Sequence, residues 1–172
     1  ISGVKGNYLT LEGCNYLKPS KVNNKWNHFK LELNDLIISG SASTELVSEV
    51  NEVTLGSICY TGLIRLKAKS KNVYKEYLKI FLGSKLFFTQ IDLQKTGSTI
   101  SHYGPSHLNR MFLVLPPKGE QIQITDYLDK ANVQITTAIS LKEQEIEKLK
   151  EYKATLINSA VTGKIKVYND AE

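Results

Sequence analysis

Residues 115–131 read LPPKGEQIQITDYLDKA, and this stretch decides how the chain is divided. Its two prolines cannot continue a strand ladder, and they bias the residue before them toward an extended backbone. Gly119 and Glu120 come next, and the dipole of a helix favours a negative charge at its start. From Glu120 to Val161 the chain contains neither proline nor glycine. These features predict a globular domain over residues 1–117 and a long helix after it.

The segment 118–163 carries apolar residues at the seven-residue spacing of a coiled coil. Two polar residues, Asn132 and Lys142, also occupy seam positions, where such residues set the register of pairing. Gly163 is placed to end the helix as a C′ glycine, which leaves a short tail over 164–172. The residues predicted to pair are Leu128, Ile135, Ile139, Ile146, Leu149 and Leu156.

The length of this helix indicates that it needs a partner. A helix of about 43 residues is roughly 64 Å long, whereas a domain of about 118 residues is only roughly 27 Å across. The apolar stripe is therefore expected to pack on a helix of another copy or of a partner protein. A kinked helix that folds back onto its own domain is the alternative.

The first 117 residues alternate between short strand and helix patterns, which is typical of a mixed α/β (α+β) domain with long polar loops. Leu36–Ser39 is short, apolar and β-branched, as a buried strand should be. A helix is predicted from about Val73 to Gly83, with Asn72 as its cap. Further strands are predicted over Phe29–Leu33, Thr54–Ser57, Cys59–Leu66 and Met111–Leu115.

Charge is distributed unevenly along the chain. Residues 1–118 contain 15 Lys and Arg against 8 Asp and Glu, a net of +7, and residues 119–172 contain 7 against 9, a net of −2. A basic front part and a back part close to neutral are expected when one module contacts a polyanion such as nucleic acid. The alternative is that the lysines only keep the domain soluble.

The sequence offers no constellation of acid, base and nucleophile. It lacks the phosphate-binding pattern G-x-x-x-x-G-K-[ST] and the G-x-S-x-G pattern of serine hydrolases. Cys14 and Cys59 are too few for a disulfide framework or a cysteine-rich zinc site, and they are interpreted as free thiols in a reducing compartment. No apolar run is long enough to span a membrane. We therefore predict that the chain has no active site and no metal.

Binding to DNA would use lysines for phosphates, and short polar side chains with arginine for base edges. Two polar loops, Ser39–Thr44 and Thr96–Tyr103, supply the polar side chains, and lysines follow the third strand candidate. The alternative for each of these residues is a solvated loop position without a ligand. The residues predicted to contact DNA are Ser41, Ser43, Thr44, Lys67, Lys69, Lys95, Thr96, Ser98, Thr99, Ser101, His102, Tyr103 and Arg110.

The opening stretch resembles the junction in the specificity subunits of type I restriction–modification systems, where two prolines precede Glu-Gln and a helix that contains Leu-Asp. Residues 149–165, LKEYKATLINSAVTGKI, are similar to the conserved helix of that family. NDLIIS at 34–39 and GSTISH at 97–102 resemble recurring pieces of its target-recognition domain. The family usually has glycine where Asn34 stands, so the turn before Leu36–Ser39 is expected to differ slightly.

The resemblance implies a target-recognition domain that reads one half of a split site on double-stranded DNA. It implies that the long helix pairs antiparallel in a coiled coil, fixes the distance between the two half-sites and docks methyltransferase subunits. Those subunits would hold S-adenosylmethionine, this chain would hold no cofactor, and restriction subunits would join the assembly in the prokaryotic cytoplasm.

One domain and one helix are half of that plan. The chain is therefore expected to be either a C-terminal fragment or a natural half-subunit that dimerises through the helix. An interpretation from another class is a coiled-coil scaffold whose front module binds protein rather than DNA.

Overall fold

The computed structural model describes residues 3–40, 46–60, 62–94 and 102–167. The chain divides into two compact units, Ile1–Thr125 and Asp126–Glu172. The strands are β1 (Leu36–Ser39), β2 (Val47–Glu49) and β3 (Leu63–Leu66). The helices are α1 (Pro19–Lys21), α2 (Lys75–Leu82), α3 (Lys85–Leu93), α4 (Pro105–Leu108) and α5 (Lys118–Val161), and α1 continues into a π-helix over Val22–Trp26 and a 3-10 helix over Asn27–Phe29.

The strands form an antiparallel sheet in the order β2-β1-β3, with β1 in the centre. All four residues of β1 are buried, which confirms the strand predicted from its continuous apolar run. Successive side chains of a strand point to opposite faces. Leu36 and Ile38 accordingly join one cluster with Phe87 and Ile91, and Ile37 joins a second cluster on the other face. The first three residues of the central strand are apolar because both of its faces are covered.

The helix predicted over Val73–Gly83 is present as α2, and it ends at Gly83 as expected. Its cap position is occupied by Tyr74 rather than by Asn72. The next helix, α3, was not predicted. It begins at Ser84, whose Oγ accepts a hydrogen bond from the Phe87 N–H at 3.2 Å, so a serine cap starts a helix whose apolar face enters the core.

Two of the predicted strands are wrong. In Phe29–Leu33, the first residue ends a 3-10 helix, and the segment pairs with residues 56–59 only through one isolated bridge, from Lys30 to Ile58, and three backbone hydrogen bonds. Residues 54–57 belong to a turn, in which Thr54 and Asn51 exchange side-chain to backbone hydrogen bonds of 3.1 and 3.2 Å.

The strand predicted over Met111–Leu115 is also wrong, although its side chains alternate in exposure. The side-chain amide of Gln90 both donates to the carbonyl of Phe112, at 3.0 Å, and accepts from its N–H, at 2.7 Å. The Tyr77 hydroxyl donates to the carbonyl of Val114 at 2.8 Å. Side chains of α2 and α3 therefore satisfy a backbone that a neighbouring strand would otherwise pair.

The strand predicted over Cys59–Leu66 is present only in its second half, as β3. The turn before β1 contains Asn34 in the left-handed region, at φ 66°. This conformation is tolerated by asparagine and is the usual reason for glycine at such a turn, so the departure from the family pattern is compatible with the fold.

The long helix α5 runs from Lys118 to Val161, roughly 66 Å by its 44 residues. Gly163 follows it at φ +74°, with hydrogen bonds from the Gly163 N–H to Ala160 at 3.2 Å and from the Lys164 N–H to Ser159 at 2.8 Å. This is the Schellman arrangement that a C′ glycine permits, as the sequence predicts.

In the second unit the seam residues of α5 are exposed. The six apolar residues predicted to pair expose between 39% and 59% of their surface. Pairs of opposite charge, Lys142 with Glu145 and Lys150 with Glu147, lie three residues apart along the helix.

A mixed α/β domain followed by one long helix confirms the predicted fold class. Antiparallel coiled-coil pairing stays a prediction, and so do the domain limits at residues 117 and 163.

Candidate functional site

The two predicted recognition loops share a common root at Gly40. The Gly40 N–H donates to the carbonyl of Gly62 at 2.7 Å, and the Gly40 carbonyl accepts from the N–H of Tyr103 at 2.8 Å. Gly40 begins the first loop, and Tyr103 ends the second. The fold therefore brings together segments that are far apart in the sequence, and it places them at the end of β1.

The junction leaves little room beside Gly40 for a side chain. A Cβ atom on Gly40 would lie 3.0 Å from the carbonyl oxygen of Tyr103 and 3.3 Å from that of Gly62. Both neighbours are backbone atoms, which cannot rotate away as a flexible side chain can. In the sequence, the glycine directly after the buried strand is the sign of this close approach of backbones.

Tyr103 fixes the end of the second loop. Its ring is 7% exposed and packs edge to face against Phe87, with centroids 6.3 Å apart. Burial raises the pKa of the Tyr103 phenol to about 12. The sequence grouped Tyr103 with the DNA-contacting side chains, whereas the structure places its ring in the core, where packing holds it.

The other predicted loop residues divide into two groups. His102 and Arg110 are exposed, on either side of the short helix α4. The remaining ones lie outside the described residues, and their contacts with DNA stay predictions: Ser41, Ser43, Thr44, Lys95, Thr96, Ser98, Thr99 and Ser101.

The predicted lysines Lys67 and Lys69 lie away from this junction. Strand β3 runs from Leu63, which pairs with the residue before Gly40, to the opposite end of the sheet, where Lys67 follows it. Lys67 Nζ donates to a carboxylate oxygen of Glu32. This hydrogen bond, with the charge of Lys67, lowers the pKa of Glu32. The sheet therefore separates these lysines from the roots of the loops.

Two lysines of α2 have a structural role. Lys75 and Lys79 both approach the carboxylate of Glu49 in β2, and Lys79 also lies 5.4 Å from the ring centre of Tyr8. Burial disfavours the charge of Lys75, but the hydrogen bond and charge of Glu49 outweigh it, and the pKa of Lys75 is raised. These charges hold α2 against the sheet, so they are compensated within the domain.

Gln121, in the first turn of α5, is a structural residue that the sequence reasoning did not single out. Its side chain is fully buried. Its Oε1 accepts from the N–H of Tyr74 at 2.8 Å, and its Nε2 donates to the carbonyls of Asn72, at 2.8 Å, and Pro116, at 2.7 Å. One amide thus joins the start of α2, the proline segment and the start of α5. In the sequence, the feature that could have indicated this role of Gln121 is the Glu-Gln pair after the two prolines.

Within the described ranges, no three His, Cys, Asp or Glu residues are grouped so that they could hold a metal ion. A search of the same part of the chain finds no helix that is long and apolar enough to cross a membrane.

The domain and the helix that follows it define a class of protein. In sequence and in fold this chain is similar to the specificity subunits of type I restriction enzymes, so the predicted resemblance is confirmed. No family model matches the chain.

Three relatives carry this comparison. The EcoKI specificity subunit of Escherichia coli strain K12 is 24% identical over 143 residues, which is 79% of this chain and 30% of that protein. The MjaVIII specificity subunit of Methanocaldococcus jannaschii is 27% identical over 139 residues, 81% of this chain and 31% of that protein. The crystal structure of the HsdS subunit from Thermoanaerobacter tengcongensis matches the fold with a TM-score of 0.61 at 16% identity, over 83% of this chain and 36% of that one. The chain thus spans about a third of the length of the curated relatives that it matches.

Proposed function

We propose that this chain is a DNA-recognition part of a type I specificity subunit. Its domain reads one half of a bipartite site on double-stranded DNA, and α5 fixes the distance to the other half. The observation that carries the proposal is the extent of the similarity to two type I specificity subunits. Each match is longer than the 125-residue first unit, so it includes part of the helix as well as the domain.

The geometry of the domain supports a reading role. Side chains that converge on one groove of the DNA read the edges of the bases. Contacts to phosphates fix the position of the protein on the duplex without distinguishing between base sequences. Hydrogen bonds at Gly40 join the start of one polar loop to the end of the other, and His102, next to Tyr103, is exposed. The net charge of +7 over residues 1–118 favours an approach to a polyanion.

The helix supports a spacing role. Its exposed apolar seam fits a second helix, either of another copy or of another part of the same subunit, in an antiparallel coiled coil. A length of roughly 66 Å corresponds to roughly 19 base pairs at 3.4 Å each. Methyltransferase subunits, which would hold S-adenosylmethionine, would dock on the paired helices, and restriction subunits would complete the assembly. This chain would contribute no catalytic group.

Selection from a pool of duplexes with randomised base pairs tests the reading role. The purified chain is expected to enrich a short motif, because the loops discriminate between bases. Its affinity for that motif should fall steeply as salt rises, because phosphate contacts release counterions. A pool that stays random, at low salt as well as at high salt, would contradict the proposal. If the domain over residues 1–117 instead binds a protein partner with little salt dependence, the result would support the alternative interpretation, a coiled-coil scaffold protein.

A further inference from the structure

A basic and aromatic segment lies outside the predicted site. Between Gly13 and Leu31 the chain contains four lysines and no Asp or Glu. We refer to residues 16–30 as the Trp26 segment, because they contain the single tryptophan of the chain. Its other aromatic residues are also accessible, since Tyr16 is 89% exposed and Phe29 is 45% exposed. Such a concentration of one charge with exposed rings is unusual for a surface whose only task is solubility.

The Trp26 segment is mainly helical and irregular. The first turn, Pro19–Lys21, is followed by a π-helix over Val22–Trp26, a rare geometry that is frequent at functional sites. The segment is tied to the sheet region at its end, where the carbonyl of Phe29 accepts from the N–H of Cys59 at 3.0 Å. The backbone of the segment therefore continues into the folded domain.

A pocket opens on this segment, with a volume of about 280 Å³. It is lined by Ser20, Lys21, Lys25 and Trp26. Neither lysine makes an ion pair with a described carboxylate, in contrast to Lys67, which pairs with Glu32. Lysine and serine side chains are donor types that a phosphate group accepts from, and the lining also includes the tryptophan.

The Trp26 segment ends in the part of the domain that leads to the Gly40 junction. Cys59, which is bonded to Phe29, precedes Gly62 by three residues, so their Cα atoms are at most roughly 11 Å apart. Gly62 accepts the hydrogen bond from Gly40 at the root of the loops.

We infer that the pocket of Ser20, Lys21, Lys25 and Trp26 binds a backbone phosphate of the DNA that the loops read. This inference rests on the proposed function. The contact is independent of sequence, because every nucleotide carries the same phosphate. It gives affinity and orientation to the domain, while the loops give the choice of sequence.

Titration with a duplex of arbitrary sequence tests this contact, since a phosphate site requires no particular base. Binding of the whole chain is followed by the anisotropy of a labelled duplex, and the pocket by the emission of Trp26. The test variant is Lys21→Gln/Lys25→Gln, and the matched control is Lys130→Gln/Lys148→Gln, which removes the same charge from exposed positions of α5.

Wild type and control are expected to show a change in Trp26 emission on binding. The test variant should lose that change, and the slope of log affinity against log salt should become less steep by about one, since each phosphate contact contributes about 0.9. Between 50 and 200 mM salt the fall in affinity of the test variant should therefore be roughly threefold smaller than that of wild type.

Each other outcome has a definite meaning. The anisotropy could show that the duplex binds while Trp26 emission stays unchanged and the salt slopes of the two double variants are equal. This result would overturn the phosphate pocket and leave DNA recognition intact. Equal reductions in slope for both double variants would show a general charge effect and would also overturn it. Absence of duplex binding at 50 mM salt would overturn the proposed function and the pocket together.

Discussion

The N–H of Tyr103 donates a 2.8 Å hydrogen bond to the carbonyl oxygen of Gly40, and this bond joins the ends of two polar loops. One partner directly follows a buried strand, and the other has its ring in the core next to Phe87. One loop therefore begins, and the other ends, at a rigid position. A site that reads DNA needs such support, because small displacements of its side chains weaken contacts to base edges.

Gly40→Ala is expected to lower the free energy of unfolding by about 1–3 kcal/mol, because its Cβ would press on two backbone carbonyls. Urea unfolding followed by Trp26 emission measures this. The matched control is Gly6→Ala, whose Cβ would meet nothing within 4 Å and should change the stability by less than about 0.5 kcal/mol. Equal effects of the two substitutions would contradict the crowding at Gly40.

Tyr103→Phe is expected to remove an alkaline sensitivity. The unfolded phenol ionises near its ordinary pKa of 10.0, whereas the folded phenol stays protonated until about 12. The unfolded state therefore loses its proton first, and the wild type loses up to about 2 kcal/mol as pH rises from about 10 to about 12. Urea midpoints of wild type and variant should separate only in that range. Parallel midpoints throughout would show that burial does not perturb this tyrosine.

Gln121→Ala is expected to destabilise the domain by about 3 kcal/mol, because it removes three hydrogen bonds from a site closed to water. Gln123→Ala is the control, since Gln123 is exposed in the same helix turn and should cost less than about 0.5 kcal/mol. The comparison is made by urea unfolding. A small effect at Gln121 would mean that the helix start does not depend on this amide.

Ile139→Asp or Leu149→Asp is expected to halve the mass measured by light scattering, because a charge in the seam prevents pairing. The urea midpoint reported by Trp26 should stay unchanged, since both residues lie outside the first unit. Gln144→Asp adds the same charge away from the seam and should leave the mass unchanged. A monomeric wild type, or a variant with the mass of wild type, would contradict self-pairing.

Several elements follow from local sequence alone. Leu36–Ser39 is a strand because its three consecutive apolar residues need cover on both faces. The helix α5 begins after two prolines and ends at Gly163, since proline and glycine act through backbone geometry that requires no distant partner. The apolar seam of α5 is likewise visible from its spacing.

Tertiary structure decided the conformation of segments whose backbone hydrogen-bond partners lie far away in the sequence. Residues 111–115 alternate like a strand, but Gln90 and Tyr77 satisfy their backbone instead of a neighbouring strand. The spacing of apolar residues indicates on which face of an element a side chain lies. It carries no information on which group forms hydrogen bonds with the backbone.

The site divides in the same way. The sequence alone determined which residue types could contact DNA and that they lie on two polar loops. Only the folded chain decided that the end of the second loop is bonded to the start of the first at Gly40, that the Tyr103 ring lies in the core, and that Lys67 lies toward the other end of the sheet. The physical reason is that charge, polarity and backbone freedom belong to single residues, whereas proximity and burial arise only when distant segments pack together.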